Sequence, residues 1–276
     1  MAGVSDDELY RQYETINLYR RGPGAKVELN RPERMNAWSY QFSQDLSAAI
    51  TEVTGNPEVR AVVVTGAGRA FSSGADLKEA AEQAGAGTVD VYKILTERYH
   101  PLITGIRRMP KPVIAAVNGL AVGGGHVLHV LCDLSIAAET ARFGQAGPRV
   151  GSFDAGFGSA YLARVVGEKR AREMWYLCRL YDAATAERWG LVNAVVPGDQ
   201  LLAEAKAWAA DIADKSPTAI RFLKQSFNAD TDHQAGLSNL AMSGLDLFTA
   251  SPEGMEGAAA FAEKRKPDFA SHVISH

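Results

Sequence analysis

Little in this sequence is extreme, and its scarcities are informative. Only two of the 276 residues are cysteine, Cys132 and Cys178. They are too few for a disulfide framework and lack zinc-site spacing. Both fall in apolar helical patterns, so buried free thiols are expected. No apolar run approaches the ~20 residues that a membrane span needs. The opening stretch, MAGVSDDELYRQYE, is acidic and polar, unlike a secretory or transit leader. Positive charge is not in excess. The 29 Lys and Arg residues against 32 Asp and Glu leave a net charge of −3, which argues against nucleic acid or an anionic membrane as the main partner. Low-complexity linkers and short solenoid repeats are missing too. These absences predict a cytoplasmic protein with neither membrane nor nucleic-acid partner. What is present is ordinary: 46% hydrophobic and 22% charged residues. The length suits one large domain or two small ones with an ample core.

Periodicity divides the chain. Thr15–Tyr19 and Lys26–Leu29 read as strands around the turn Arg21-Gly22-Pro23-Gly24. From Ser39 to Val53, Phe42, Leu46, Ile50 and Val53 form one helical stripe. Ala61–Thr65, Val113–Val117 and Leu134–Ala137 are apolar, mostly β-branched or small runs that suit buried strands. A helix is expected around Val89–Ile106, ended by Pro110 and Pro112. Beyond about Gly156 the pattern is helical: Val165–Leu180, Ala183–Trp189, Leu201–Asp214, Pro217–Phe227 and Gly236–Phe248, with one late strand at Asn193–Val196. Ser216-Pro217 has the form of an N-cap followed by proline at the first helical position. The α/β class follows, with a sheet-rich core over 1–195 and a helical region over 196–276.

Two glycine-containing loops could carry chemistry. Ala70-Phe71-Ser72-Ser73-Gly74-Ala75-Asp76-Leu77 follows a buried strand, and its small residues allow close approach of a ligand to the backbone. An ordinary strand-to-helix turn would have the same appearance. Gly123-Gly124-Gly125-His126 follows a strand and opens an apolar helix, whose N-terminus offers free N–H groups. Neither the dinucleotide spacing nor a Gly-Lys-Ser/Thr phosphate loop is present. One amide near Ala75 and one near Gly124 could together form an oxyanion hole. His126 and His129 lie three apart on an apolar helix without a third ligand nearby; core or interface histidines are expected there, and no metal.

Asn30-Arg31-Pro32, Met35-Asn36-Ala37, Ala70–Asp76, Pro110–Gly119 and Gly123-Gly124-Gly125, in this order, resemble the crotonase (enoyl-CoA hydratase/isomerase) superfamily over nearly the whole chain. The resemblance implies a ClpP-like spiral of ββα units with a C-terminal helical region that builds trimers or dimers of trimers. It implies an acyl-CoA thioester whose carbonyl oxygen is held by the N–H groups of Ala75 and Gly124. Coenzyme A enters as part of the substrate, and no tightly bound cofactor is implied. The hydratases of this superfamily use two glutamates. The matching positions here are Val127 and Gly147, neither able to transfer a proton.

The stretch from Phe143 to Gly158, with Ala163–Cys178, resembles the naphthoate synthases and the 2-ketocyclohexanecarboxyl-CoA hydrolases, which form or open a ring by C–C chemistry. That likeness implies that Ser152 and Asp154 serve a second oxygen and a proton. As residues alone, Ser152 could be a turn residue, and Asp154 could be an N-cap. The position of Gly147 is where such enzymes carry either an aspartate or a bound bicarbonate. Gly147 is therefore expected to leave a gap for bicarbonate, contacted by Gln145 and Trp175, although Trp175 also fits a helix core. Candidate substrate or CoA contacts are Gly74, Asp76, Lys78, Tyr92, Phe261 and Lys264, the last also readable as part of a solvated charge run. Thr249 stands where the relatives carry a C-terminal tyrosine, and the loop reads Ser73-Gly74-Ala75-Asp76-Leu77 in place of their Gly-Gly-Asp-Gln. An enoyl-CoA isomerase with Asp154 as its single base is the rival enzymatic reading. An RNA-binding member of the fold is disfavoured by the charge.

Overall fold

A computed structural model describes residues 7–79, 97, 99–154 and 157–272. Among them the strands form two sheets. The larger contains β1 (Glu8–Gln12), β2 (Ile16–Arg21), β3 (Gly24–Leu29), β4 (Ala61–Gly66), β6 (Val113–Val117), β8 (Leu134–Ala138) and β11 (Ala194–Val196), in the order β1-β2-β3-β4-β6-β8-β11. From β3 onward every neighbour is parallel. The smaller sheet has the order β10-β9-β7-β5, from β10 (Leu180–Asp182), β9 (Arg142–Gly144), β7 (Leu120–Val122) and β5 (Ala70–Ser72). Each of β4, β6 and β8 is followed within a few residues by one strand of the smaller sheet. The chain thus climbs as a spiral, adding one strand to each sheet per turn.

The apolar runs of β4, β6 and β8 arise because both faces of the large sheet are covered. Ala61, Val63, Ile114, Ala116, Ile136 and Ala138 pack under Leu201, Ala205 and Ala209 of a helix spanning Leu201–Ala213. Val62, Val64, Val113, Ala115, Val117 and Ala137 face the opposite side, the alternation that a pleated strand requires. There they share a core with Phe42, Leu46, Ala49, Ile50 and Val53 of α1 (Tyr40–Gly55). Ser39 caps α1 by accepting from the Phe42 amide.

Further α-helices among the described residues are, in chain order, α2 (His100–Arg108), α3 (Gly124–Leu131), α4 (Phe157–Val166), α5 (Glu168–Leu177), α6 (Ala183–Arg188), α7 (Leu201–Ala213), α8 (Pro217–Ala229), α9 (Ala235–Thr249) and α10 (Pro252–Ala262). The single helix expected over Val165–Leu180 is two. Gly167, at φ 84°, separates α4 from α5, and the left-handed Cys178 ends α5 before β10. Helix α10 begins at Ser251-Pro252, with Ser251 accepting from the Gly254 amide. That is the same cap-and-proline signal as at Ser216-Pro217, and the periodicity reading passed over it. Both cysteines are buried and free. Among the described residues no helix is long and apolar enough to cross a membrane.

Candidate active site

The first glycine-containing loop is fixed from below by Asn36 and Arg31. Asn36, fully buried, donates from its amide nitrogen to the carbonyls of Ala67 and Ala70 and accepts from the Arg31 amide. The Arg31 guanidinium donates to the Ala37 carbonyl at 2.6 Å and pairs with the Asp76 carboxylate at 3.1 Å. The other Asp76 oxygen accepts from the Glu79 amide. Asp76, expected among the substrate contacts, thus has its carboxylate turned into the scaffold, where it anchors the loop. The Asn-Arg-Pro and Met-Asn-Ala motifs are the loop's foundation.

Trp38 bridges to Ala75 as a parallel strand would. The Trp38 amide donates to Gly74 O at 2.8 Å, and Asp76 N donates to Trp38 O at 3.0 Å. Both bonds involve the neighbours of Ala75, so the N–H of Ala75 itself points away from Trp38. Gly74 sits at φ 82°, and a Cβ there would come within 3.0 Å of Gly124 N and 2.7 Å of Val122 O. Only glycine lets the two loops approach this closely. Gly125 has the same role one residue on, since a Cβ there would collide with the Ser72 carbonyl. Gly124 opens α3, so its N–H has no partner within the helix. The amides of Ala75 and Gly124 are therefore brought to facing loop edges at a helix N-terminus. That arrangement suits a developing negative charge on oxygen.

Asp154 is placed by the start of α4. Its Oδ1 accepts from Gly158 N at 3.0 Å and its Oδ2 from Ser159 N at 2.6 Å. Asp154 thus bonds to the first turn of α4 as a capping side chain does, and capping does not preclude chemistry. A Cβ at Gly158 would lie 2.8 Å from Asp154 Oδ1, 2.7 Å from Val127 Cγ2 and 3.2 Å from the Trp175 ring. The carboxylate and Val127 thus border the same point beside Gly158; Val127 follows Gly124 by three residues on the same face of α3. Val127 stands where the resemblance to hydratases implies a glutamate, and it offers a methyl group there instead. Ser152, two residues before Asp154, is half-buried; among the described residues its hydroxyl makes a long 3.4 Å contact to the Phe153 carbonyl.

The gap expected beside Gly147 is not there. A side chain leaving Gly147 would meet Ser152 O at 3.0 Å, the Trp175 ring at 3.2 Å and Phe153 Cα at 3.3 Å. Trp175 is buried, and its indole N–H is committed to the Gly158 carbonyl at 3.0 Å. Gln145 is buried as well, with its amide nitrogen 3.0 Å from His126 Nδ1. The two residues expected to contact bicarbonate are thus structural, one wedged between Gly147 and Gly158, the other tied to α3. Close packing of Trp175 is the physical reason.

His126 and His129 are fully buried, with ring centroids 4.9 Å apart, and His129 Nδ1 lies 3.1 Å from Ser135 Oγ. Burial depresses the His126 pKa to about 3 and holds that of His129 well below its usual value, with His126 adding to the effect. Both are neutral core residues at neutral pH. Among the described residues no metal-binding cluster occurs.

Lys78 is exposed one turn past Ala75. Phe261 and Lys264 are exposed at the end of α10, with Lys264 in the left-handed region at φ 56°. Tyr92 lies outside the described residues. Two residues went unnoticed in the sequence. Trp38 places its indole 3.6 Å from where a Gly124 side chain would begin, and Tyr99 stacks obliquely on Trp38 at 5.2 Å. Trp38 follows the Met35-Asn36-Ala37 motif directly, a signal that could have found it. Tyr99 had no comparable signal, because an aromatic in a helical pattern ordinarily reads as core.

The two-sheet spiral, the facing glycine loops and the helical C-terminal part define the crotonase architecture. Residues 24–272 match the enoyl-CoA hydratase/isomerase family, and the chain belongs to that family. An enoyl-CoA hydratase from Mycobacterium avium subsp. paratuberculosis K-10 is similar at 31% identity and a TM-score of 0.82, over 94% of this chain and 99% of that one. A monofunctional enoyl-CoA isomerase from M. smegmatis is 35% identical with a TM-score of 0.69, over 83% and 99%. An enoyl-CoA hydratase from Bacillus anthracis is 33% identical with a TM-score of 0.71, over 92% and 98%.

Proposed function

We propose that this chain is an acyl-CoA enzyme that forms or cleaves a C–C bond through a thioester enolate. In this reading the amides of Ala75 and Gly124 hold the thioester oxygen as charge develops on it. Asp154 carries the proton, and Ser152 serves a second oxygen of the acyl group. The observation that carries the reading is one carboxylate, that of Asp154, bordering Gly158 together with Val127, while Val127 and Gly147 hold the two positions where two-glutamate hydration would need acids. Water addition requires one group to activate water and one to protonate carbon, whereas enolate chemistry proceeds with a single base and an oxyanion hole. Bicarbonate has no part in this proposal, because Trp175 fills the space beside Gly147.

A second reading, double-bond isomerisation, is supported by the same single carboxylate, which can remove and return one proton. Likeness to the M. smegmatis isomerase agrees with it. The test is mass spectrometry of products from 2-ketocyclohexanecarboxyl-CoA, succinylbenzoyl-CoA, 3-hexenoyl-CoA and crotonyl-CoA. Ring opening or closure supports C–C chemistry. Conversion of 3-hexenoyl-CoA alone selects isomerisation, and efficient hydration of crotonyl-CoA overturns both. Self-association into trimers or dimers of trimers is part of the proposal. Phe222, Leu223 and Phe227 of α8 and Leu240 and Leu247 of α9 are more than half exposed, an apolar surface that a second copy would cover.

A further inference from the structure

We infer that Tyr99 is a specificity-determining residue, whose phenol donates a hydrogen bond to an oxygen of the acyl group beyond the thioester carbonyl. The inference rests on the acyl-CoA reading above and deepens it by naming the substrate class, oxygenated acyl chains such as β-keto acyl groups. Tyr99 stands immediately before α2, half-buried. Its ring is tilted 53° against Trp38, the indole that lies beside Gly124. It also packs against the cluster formed by Ile103, Val127, Leu131 and Phe157. Val127 in turn borders Gly158 together with the Asp154 carboxylate. The phenol is thereby set between the two chemical poles of the site, the Gly124 amide and Asp154.

The described residues leave the Tyr99 hydroxyl unoccupied. Among the described residues it has no hydrogen-bond partner, whereas Tyr13 and Tyr181 donate to Glu52 and Glu173. A phenol hydroxyl bordering a ligand site without a protein partner is available to substrate. Burial and, secondarily, the charge of Asp154 raise its pKa above the usual value. The group keeps its proton throughout the physiological range and acts as a donor. A hydrocarbon acyl chain would leave this donor unsatisfied, while an oxygen beyond the thioester would satisfy it. Discrimination follows from the cost of burying an unpaired polar group.

The test is calorimetric titration of the wild type and Tyr99→Phe with acetoacetyl-CoA and butyryl-CoA, which differ in one oxygen. Phenylalanine retains the packing on Trp38, so the variant should fold, and circular dichroism checks it. The wild type should prefer acetoacetyl-CoA. The variant should lose roughly tenfold affinity for acetoacetyl-CoA, as expected for one hydrogen bond, and less than about twofold for butyryl-CoA. Equal weakening of both thioesters, or of neither, overturns the assignment of Tyr99 and leaves the oxyanion-hole reading standing. A wild type that binds neither thioester overturns the acyl-CoA reading and this inference with it.

Discussion

Asp154→Asn separates the capping role that the structure shows from the proton transfer proposed for this residue. The carboxylate accepts from two backbone amides, Gly158 at 3.0 Å and Ser159 at 2.6 Å. Asparagine keeps one oxygen for Gly158 and presents an NH2 group to Ser159, donor against donor. The loss is one charge-assisted bond at a helix N-terminus, about 1–2 kcal/mol. In a chain of this size that lowers Tm by roughly 2–8 °C. Catalytic loss should be far larger, because removing a proton-transfer group costs ~10²–10⁴ in rate, equivalent to about 3–5 kcal/mol of barrier. Exchange of the α-protons of phenylacetyl-CoA in D2O, followed by mass spectrometry, reads enolate formation whatever the final reaction. Asp154→Ser supplies the control: a serine can still cap α4 but cannot act as base, so its Tm should recover while exchange stays low. Exchange within threefold of wild type in Asp154→Asn, beside a lowered Tm, would show that Asp154 is a cap alone and refute its chemical role.

Gly147→Asp should destabilise the protein by about 1–3 kcal/mol through overpacking against Trp175 and Ser152, and bicarbonate should not alter activity in either background; urea unfolding and an assay in carbon-dioxide-free buffer check both. Stability should fall as pH drops from about 6.5, because His126 titrates near 3 when folded and near 6.5 when unfolded, with His129 shifted the same way. The unfolded chain then binds more protons, so stability present above pH 6.5 is lost at up to ~1.4 kcal/mol per pH unit per histidine; His129→Gln should roughly halve the slope between pH 6.5 and 5, and a flat profile in wild type would exclude it. Crotonyl-CoA hydration should lie ~10²-fold or more below that of a two-glutamate hydratase, measured by loss of the enoyl absorbance.

Much of the fold was legible in the chain itself. The runs Ala61–Thr65, Val113–Val117 and Leu134–Ala137 announced the parallel sheet, because strands buried on both faces must be apolar throughout. Ser216-Pro217 announced a helix start, since caps act within one turn and need no tertiary partner. Ordered motifs disclosed the family, and Val127 and Gly147 showed that two glutamates are missing. The smaller sheet was invisible. Its strands Ala70–Ser72, Leu120–Val122, Arg142–Gly144 and Leu180–Asp182 are three residues each, too short to display a period and defined only by neighbours distant in the chain.

The candidate site divides along the same line. That amides near Ala75 and Gly124 could serve as donors was readable from glycine-rich turns and a helix start. That Gly147 leaves no gap was not, because the space is filled by Trp175, 28 residues away in the chain. Arg31 reaches Asp76 across 45 residues, turning a presumed ligand contact into an anchor. Tyr99 became significant only when folding set it between Trp38 and Val127. Local signals determine which residues can start a helix, line a turn or offer an amide. Which of them touch is decided by long-range packing, since the close-packed interior assigns each volume to one side chain and excludes the others.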